Sequence, residues 1–250
     1  MSDRSKIDYI DASINPLGWG CFGPGGTDRE PKRCEYCYAQ TIAKRHLRKC
    51  RNCNEFVPHW HPEELEKLSH WKKPRRIFVE SMGDLFGDWV TSSIPFEVLR
   101  QTFYNRQHTY LFLTKNPKRM VREVNEFFFE YDTPRWETTR HWFGTTITNQ
   151  ADAFQRISEL WKLHSPNGWL SIEPLLGPIY LRLAGINWVV IGAETGNRKG
   201  KVNPDPEWVK DIIEQCRAAG VPVFVKGKIA ERFPVQEYPE GWRQREWAGR

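Results

Sequence analysis

The chain has 250 residues, with 37 Lys and Arg against 31 Asp and Glu, for a formal net charge of +6. That length holds a sizeable core and suits one α/β barrel. The mild basic excess permits a phosphate-bearing partner without requiring one, and a solvated mixed-sign surface accounts for most of the charge. No run of eighteen apolar residues exists, which excludes a membrane-spanning helix.

The N-terminal stretch MSDRSKIDYIDASINP has no apolar signal core, so the expected location is the cytoplasm. Six cysteines in a reducing compartment point to metal or redox chemistry. The even count also fits three disulfides, but two C-x2-C pairs and the missing signal core weigh against that. Of the twelve tryptophans most are expected in the core. Trp60, Trp71, Trp136, Trp242 and Trp247 lie in polar surroundings and fit a cleft wall or stacking on bases.

Residues 1–18 read as an extended lead-in that turns at Asn15-Pro16 and Gly18. Cys21, Cys34 and Cys37 follow with C-x12-C-x2-C spacing across a Gly/Pro-rich loop. Three soft thiolates suit an iron–sulfur cluster or zinc, and three rather than four leaves a metal position open for chemistry. A helix over Tyr38–Leu47 is predicted from the spacing of Ala39, Ile42, Ala43 and Leu47, so the cysteine pair sits where a loop enters a helix. The N-terminal amides of that helix favour thiolate charge. Next, Cys50, Cys53, His59 and His61 offer four zinc ligands in twelve residues, as a small knuckle within an insertion at 48–75. The competing reading is a hairpin turn with two free thiols, with His61-Pro62-Glu63-Glu64 shaping a helix start.

From residue 76 short β-rich runs alternate with helical ones. Strands are predicted over 76–80, 109–114, 142–148, 168–173, 187–192 and 221–226, and helices over 95–105, 118–129, 150–164 and 205–219. A further strand near 14–20 makes seven. Strands apolar along their whole length imply a parallel sheet covered on both faces. A partial or complete (β/α) barrel spanning 1–250 as one domain is the expected architecture, and a doubly wound open sheet the alternative.

In such barrels chemistry collects at the carboxyl ends of the strands. Those ends carry Glu80, Ser81 and Asp84; Thr114 and Lys115; Thr146, Thr148 and Asn149; Ser171 and Glu173; Glu194 and Thr195; Lys226 and Lys228. The mixture of acids and amines suits a zwitterionic or polyhydroxylated ligand. Bland readings stand beside each. Glu173 can pair with Lys115 or Lys226, Thr146 and Thr148 can be ordinary β-formers, and Asp84 can cap a short helix. The loop Gly192–Gly196 can cradle a ligand but lacks a dinucleotide fingerprint. Cys216 falls on the apolar face of a helix and reads as core.

Several segments together resemble a phage and bacterial protein family of unknown function. They are Asp11–Pro16, Gly20-Cys21 with Cys34-x2-Cys37-Tyr38-Ala39, Pro58-x2-His61-Pro62-Glu63, Phe78–Phe86, Phe112–Lys115, Ser171–Ile179 and Trp188–Gly196. That family is similar to the radical S-adenosylmethionine enzymes, which have a partial (β/α) barrel and usually space their cysteines C-x3-C-x2-C; here the first gap is twelve. The resemblance implies that Cys21, Cys34 and Cys37 hold a [4Fe–4S] cluster. It implies that the fourth iron binds S-adenosylmethionine, and that one electron from a flavodoxin- or ferredoxin-type donor yields a 5′-deoxyadenosyl radical. It places Ser81 and Asp84 at the methionine amino group, Thr146 and Thr148 at the ribose, and Glu173 and Glu194 at ribose or substrate. Lys115 and Lys226 would balance a carboxylate or phosphate. A nucleic acid or nucleotide is the expected substrate. Two other functions compete: a zinc hydrolase or deaminase using Cys21, Cys34, Cys37 and Glu173, and a non-enzymatic nucleic-acid-binding protein built on the Cys50–His61 knuckle.

Overall fold

Seven parallel strands pair strictly in chain order, β1 to β7, in one curled sheet. They are β1 (Ala12–Ile14), β2 (Arg76–Val79), β3 (Thr109–Thr114), β4 (His141–Ile147), β5 (Gly168–Ile172), β6 (Ile186–Ile191) and β7 (Val223–Val225). The computed structural model describes residues 5, 7–45, 50–195, 198–240 and 242, with the backbone alone for 135–137. Leu47, Gly196, Trp247 and the side chain of Trp136 lie outside the described residues. A doubly wound sheet reverses its strand order at a switch point; this one never does, and its curl makes it a partial (β/α) barrel.

Most expected strands fall within a residue or two of their observed bounds. The first is the exception: β1 covers 12–14, and residues 15–20 are a turn, closed by Gly18 N–H to Asn15 O at 2.8 Å. The segment after Cys50 is a short helix, α2 (Arg51–Asn54), rather than a hairpin. It lies between α1 (Tyr38–Arg45) and α3 (Glu63–His70) in the connection from β1 to β2. The later crossovers use α4 (Ser93–Tyr104), α5 (Pro117–Glu130), α6 (Gln150–Leu160) and α7 (Pro206–Ala218). Residues 173–185, between β5 and β6, form no helix, and α8 (Ile229–Arg232) follows β7.

Side chains alternate across a strand, so each strand serves two layers. Ile77, Val79, Tyr110, Phe112, Phe143, Leu170, Ile172, Val189 and Ile191 join the helices in the larger core. The opposite parity, Phe78, Leu111, Trp142, Trp169, Trp188 and Phe224, fills the concave side with Tyr9 and Trp242. This second layer is an aromatic plug. Tyr9 and Trp188 meet edge to face at 5.2 Å, and Trp188 and Trp242 lie 5.2 Å apart. Trp169 and Trp188 have no exposed surface, and burying each contributes about 4–6 kcal/mol of gross transfer free energy. Gly144 is what admits Trp169: a Cβ there would lie 2.5 Å from the indole nitrogen. Trp242, expected at a cleft, is buried in this plug, so its polar neighbours in sequence were a poor guide to its surroundings. Trp60 and Trp71 pack partly buried on the helical core, with Arg75 over the Trp71 ring at 4.7 Å.

Helix starts fix where the rim falls. Asn116 caps α5 by accepting from Arg119 N–H, and Asn149 caps α6 by accepting from Asp152 N–H at 3.0 Å. Each cap directly follows a rim residue, Lys115 and Thr148. The loop after β2 is held from outside by Arg119, which donates to Gly87 O and Val90 O and pairs with Glu123 at 2.7 Å.

Candidate active site at the carboxyl ends of the strands

The parity that builds the aromatic plug also builds the mouth above it. Following the inward positions upward, Trp142 and Gly144 lead to Thr146 and Thr148, and Trp169 leads to Ser171 and Glu173. Leu111 and Leu113 lead to Lys115, Phe78 to Glu80, and Phe224 to Lys226. The concave face is thus aromatic at the bottom and polar at the top.

The thiol loop lies over this mouth. Its twelve-residue gap closes on itself: Lys32 N–H donates to Phe22 O at 2.7 Å, pinching off the loop between them. Gly23 makes the pinch possible, with φ of +83° and a backbone approach so close that a Cβ would lie 1.9 Å from Lys32 O. Arg33 then donates to Cys21 O at 3.3 Å and to Phe56 O at 3.3 Å. The residue before Cys34 is therefore held against Cys21 despite the twelve-residue gap. Cys37 immediately precedes α1, and its sulfur accepts from Gln40 N–H at 3.4 Å. Cys21 and Cys37 pack with Trp19, Phe56, Met82, Ala39 and Ala43 in a small apolar cluster.

Burial pushes the Cys21 thiol up to about 12, helped by the Asp84 carboxylate, and burial also raises Cys37 despite its helix amides. Lys115 is the compensating cation. Burial alone would lower its pKa, but Cys34, Tyr36, Asp84 and Cys21 around it raise it overall. Its ammonium lies 5.7 Å over the Tyr36 ring. Asp84 is fully engaged by the protein: Thr114 Oγ1 donates to it at 2.7 Å, Lys115 N–H at 3.0 Å and Phe86 N–H at 3.1 Å. Burial still raises its pKa.

The other expected residues divide. Glu173 pairs with Lys226 at 2.6 Å, not with Lys115, and accepts from Ser171 Oγ at 3.3 Å. Thr146 lies buried on the concave side. Thr148 donates to Asp152 at 2.8 Å, while Tyr36 interacts with both Thr148 and Cys34. Ser81 donates to Asn15 Oδ1 at 3.3 Å. Glu80 is withdrawn: one carboxyl oxygen accepts from Leu17 N–H at 2.8 Å, the other has no partner, and burial raises its pKa well above the carboxylate range. Glu194 is gripped by Arg198 at 2.7 and 2.9 Å, which lowers its pKa. Asn149 is a cap, and Thr195 and Lys228 are exposed. Cys216 is fully buried on α7, as expected.

Four participants were not read from the sequence. Tyr38 keeps 44% of its surface open, yet its hydroxyl reaches Ser81 O and sits near Glu173, where burial raises its pKa. Tyr36 covers Lys115. Arg198 bridges Glu194 and Glu35, the latter at 3.6 Å, tying the thiol loop to the end of β6. Asn15 takes Ser81 Oγ and Met82 N–H on one oxygen. The aromatic residues between and after the last two cysteines were the available signal for Tyr36 and Tyr38.

Among the described residues, one set of ligand atoms converges on an ion-sized point: Cys50, Cys53, His59 and His61, all within 4.8 Å of one another. Cys21, Cys34 and Cys37 do not draw together on that scale. No helix is long and apolar enough to cross a membrane among these residues.

A family profile described as a protein of unknown function, DUF5131, matches residues 4–243. No curated protein matches the chain. Among solved structures, spore photoproduct lyase complexed with dinucleoside spore photoproduct is similar at a TM-score of 0.53 and 13% identity, covering 90% of this chain and 79% of that one. A cysteine-to-serine variant of that lyase gives 0.48 and 12%, covering 96% of this chain and 65% of that one. At 13% identity the first likeness is one of fold, the partial (β/α) barrel.

Proposed function

The chain belongs to the DUF5131 family, and from that premise we propose that it is a radical S-adenosylmethionine enzyme acting on a nucleotide or nucleic acid. One observation carries the reading: all three thiols of the first loop interact electrostatically with Lys115, over a polar mouth at the carboxyl rim of a partial barrel. The donor set fits a [4Fe–4S] cluster better than a single zinc. Three thiolates around one cluster must stand further apart than ligands of one ion, and only the Cys50 group has the ion-sized spacing among the described residues. When bound, the cluster would supply one electron and S-adenosylmethionine a radical that abstracts hydrogen.

The residues of the chain hold and shield. Cys21, Cys34 and Cys37 would ligate three irons, and the apolar packing of Met82, Phe56 and Trp19 keeps water from two of the thiols. Lys115 offsets thiolate charge. Asp84 positions Lys115 through its backbone N–H and keeps the loop after β2 in place. Thr146, Thr148 and Ser81 offer hydroxyls at a sugar or amino acid group. Glu173 and Lys226, over the Tyr9 ring, offer both charges to substrate. The substrate class rests on the net charge of +6, the mixed-charge mouth, and a fold shared with an enzyme whose bound ligand is a dinucleoside.

The test is anaerobic purification with iron and sulfide analysis, then incubation with S-adenosylmethionine and dithionite. About four irons and four sulfides per chain and formation of 5′-deoxyadenosine are expected, both lost in Cys34→Ala. Zinc without iron at these thiols after reconstitution would overturn the reading.

A further inference from the structure

A proton count around Cys50, Cys53, His59 and His61 leads to a second metal site. His59 Nδ1 lies 2.8 Å from Val57 O, a carbonyl that can only accept. His61 Nδ1 meets the Glu63 carboxylate, another acceptor. Both rings must therefore carry hydrogen on Nδ1, which leaves both Nε2 atoms as bare lone pairs in the neutral rings. Those lone pairs face each other at 2.6 Å. They also face the thiols: Cys50 Sγ is 3.0 Å from His59 Nε2, and Cys53 Sγ is 3.9 Å from it and 3.6 Å from His61 Nε2. Two bare nitrogen lone pairs at 2.6 Å repel unless a cation lies between them, and the two sulfurs beside them complete a set of four metal-ligating atoms around one spot. Zinc bound at ordinary Zn–S and Zn–N lengths places its ligand atoms about 3.3–3.8 Å apart; the separations here spread about that value, from 2.6 Å between the imidazole nitrogens to 4.8 Å at most.

The surroundings are those of a metal centre. Metal-bound histidines donate their other nitrogen to a carbonyl or carboxylate, and both do so here. Trp19 N–H donates to Cys53 Sγ at 3.4 Å, a bond that supports thiolate charge. Two thiolates and two neutral imidazoles balance a divalent cation. Four protein ligands close the shell, which marks the site as structural rather than catalytic.

The site also lies against the strand of chain that delivers Cys21. His59 N–H donates to Leu17 O at 3.1 Å, and His61 N–H to Pro16 O at 2.7 Å. Gly18, with φ of +65°, lies flat on the ligands: a Cβ there would be 2.7 Å from His61, 2.8 Å from His59 and 3.1 Å from Cys53. Gly20 presses closer still on the backbone of Val57 and Pro58, where a Cβ would lie 2.2 Å from Pro58 N. We infer that Cys50, Cys53, His59 and His61 bind one zinc ion, and that this ion clamps residues 16–20 and so sets the position of Cys21. The zinc site stands whether or not the neighbouring thiols hold a cluster.

The experiment uses the full chain purified without chelator. Zinc content, the visible spectrum after cobalt replacement, and the alkylation rate of Cys21 by iodoacetamide are measured, the last by peptide mass spectrometry. One zinc per chain is expected, kept in Cys34→Ala and lost in Cys53→Ser. The cobalt form should show intense tetrahedral bands with thiolate charge transfer. Removing zinc should speed Cys21 alkylation about tenfold or more by loosening residues 16–20. Should Cys53→Ser fail to fold, His61→Cys keeps four donors: it should retain one zinc and gain thiolate charge-transfer intensity. Zinc absent from wild type even after zinc addition, zinc kept by a folded Cys53→Ser, or a His61→Cys cobalt spectrum identical to wild type would each overturn the zinc site. Cys21 alkylation unchanged by zinc removal would overturn the clamp.

Discussion

Glu173 and Lys226 pair at 2.6 Å across the end of β6, and Gly192 is what lets them meet. The strand between theirs would otherwise interpose a side chain, for a Cβ at Gly192 would lie 2.6 Å from Glu173 Cγ. The pair is about four-fifths covered, so salt screens it less than a surface bridge, while water still reaches it. A double-mutant cycle of Glu173→Gln and Lys226→Met should give a coupling of about 1 kcal/mol in urea unfolding. A coupling of zero would mean that the pair contributes nothing to the fold, leaving both charges for the ligand alone.

The aromatic plug is tight at Gly144. Its missing Cβ is replaced by the Trp169 indole, whose N–H donates to Phe112 O at 3.1 Å. Gly144→Ala cannot be absorbed by a flexible side chain, because the obstruction is a rigid ring with no exposed surface. It should destabilise by about 1–3 kcal/mol, read as a lower urea midpoint at unchanged slope. An unchanged midpoint would show that the plug has room to shift.

His141 makes the protein acid-sensitive. It is buried between Phe103, stacked at 4.1 Å, and Tyr110 at 5.2 Å, and burial pushes its pKa down to about 3. The unfolded chain, with an ordinary value near 6.5, binds the proton first. Stability from this group is therefore complete above that value and falls as pH drops from about 6.5 toward 3, by about 2 kcal/mol at pH 5. Glu80 acts oppositely, since its raised pKa favours the folded state at low pH. The difference between wild type and His141→Phe isolates the histidine: the variant should lose about 2 kcal/mol less between pH 7 and pH 5. Parallel pH profiles would contradict a neutral buried His141.

The strands that were legible are those where local and tertiary signals agree. Residues 110–113 are an apolar run between two threonines, followed by an Asn-Pro cap, and β3 (Thr109–Thr114) has the expected bounds. The three-residue β1 was too short to show a period, and its pairing with β2 comes from the sheet rather than from its own sequence. The rim residues were visible as polar interruptions, but their sharing of one face depends on register. Glu194 was expected at ribose or substrate, and its partner Arg198, four residues on, carried no periodic signal that would pair them. The closing of the C-x12-C gap was latent in Gly23-Pro24-Gly25-Gly26, a turn-forming cluster whose consequence appears only when Phe22 meets Lys32. Trp242 belongs to a layer assembled from six strands and both chain ends, which no local window contains.

Lys115 provides the sharpest test of the thiol site. Its ammonium is surrounded by Cys34, Tyr36, Asp84 and Cys21, and those neighbours keep it charged despite burial. If a cluster sits on the three thiols, reduction adds negative charge beside this cation, so Lys115 favours the reduced form. Lys115→Met keeps the length of the side chain and removes only the charge. The variant should still take up iron, because the three ligands remain, but its reduction potential should fall by tens of millivolts, on the order expected from a change of one nearby charge. Titration with dithionite followed by electron paramagnetic resonance measures it. A Lys115→Arg variant should restore most of the potential, since the charge returns. An unchanged potential in Lys115→Met would mean that the bound iron lies away from Lys115, and would move the cluster off the Cys21, Cys34 and Cys37 set.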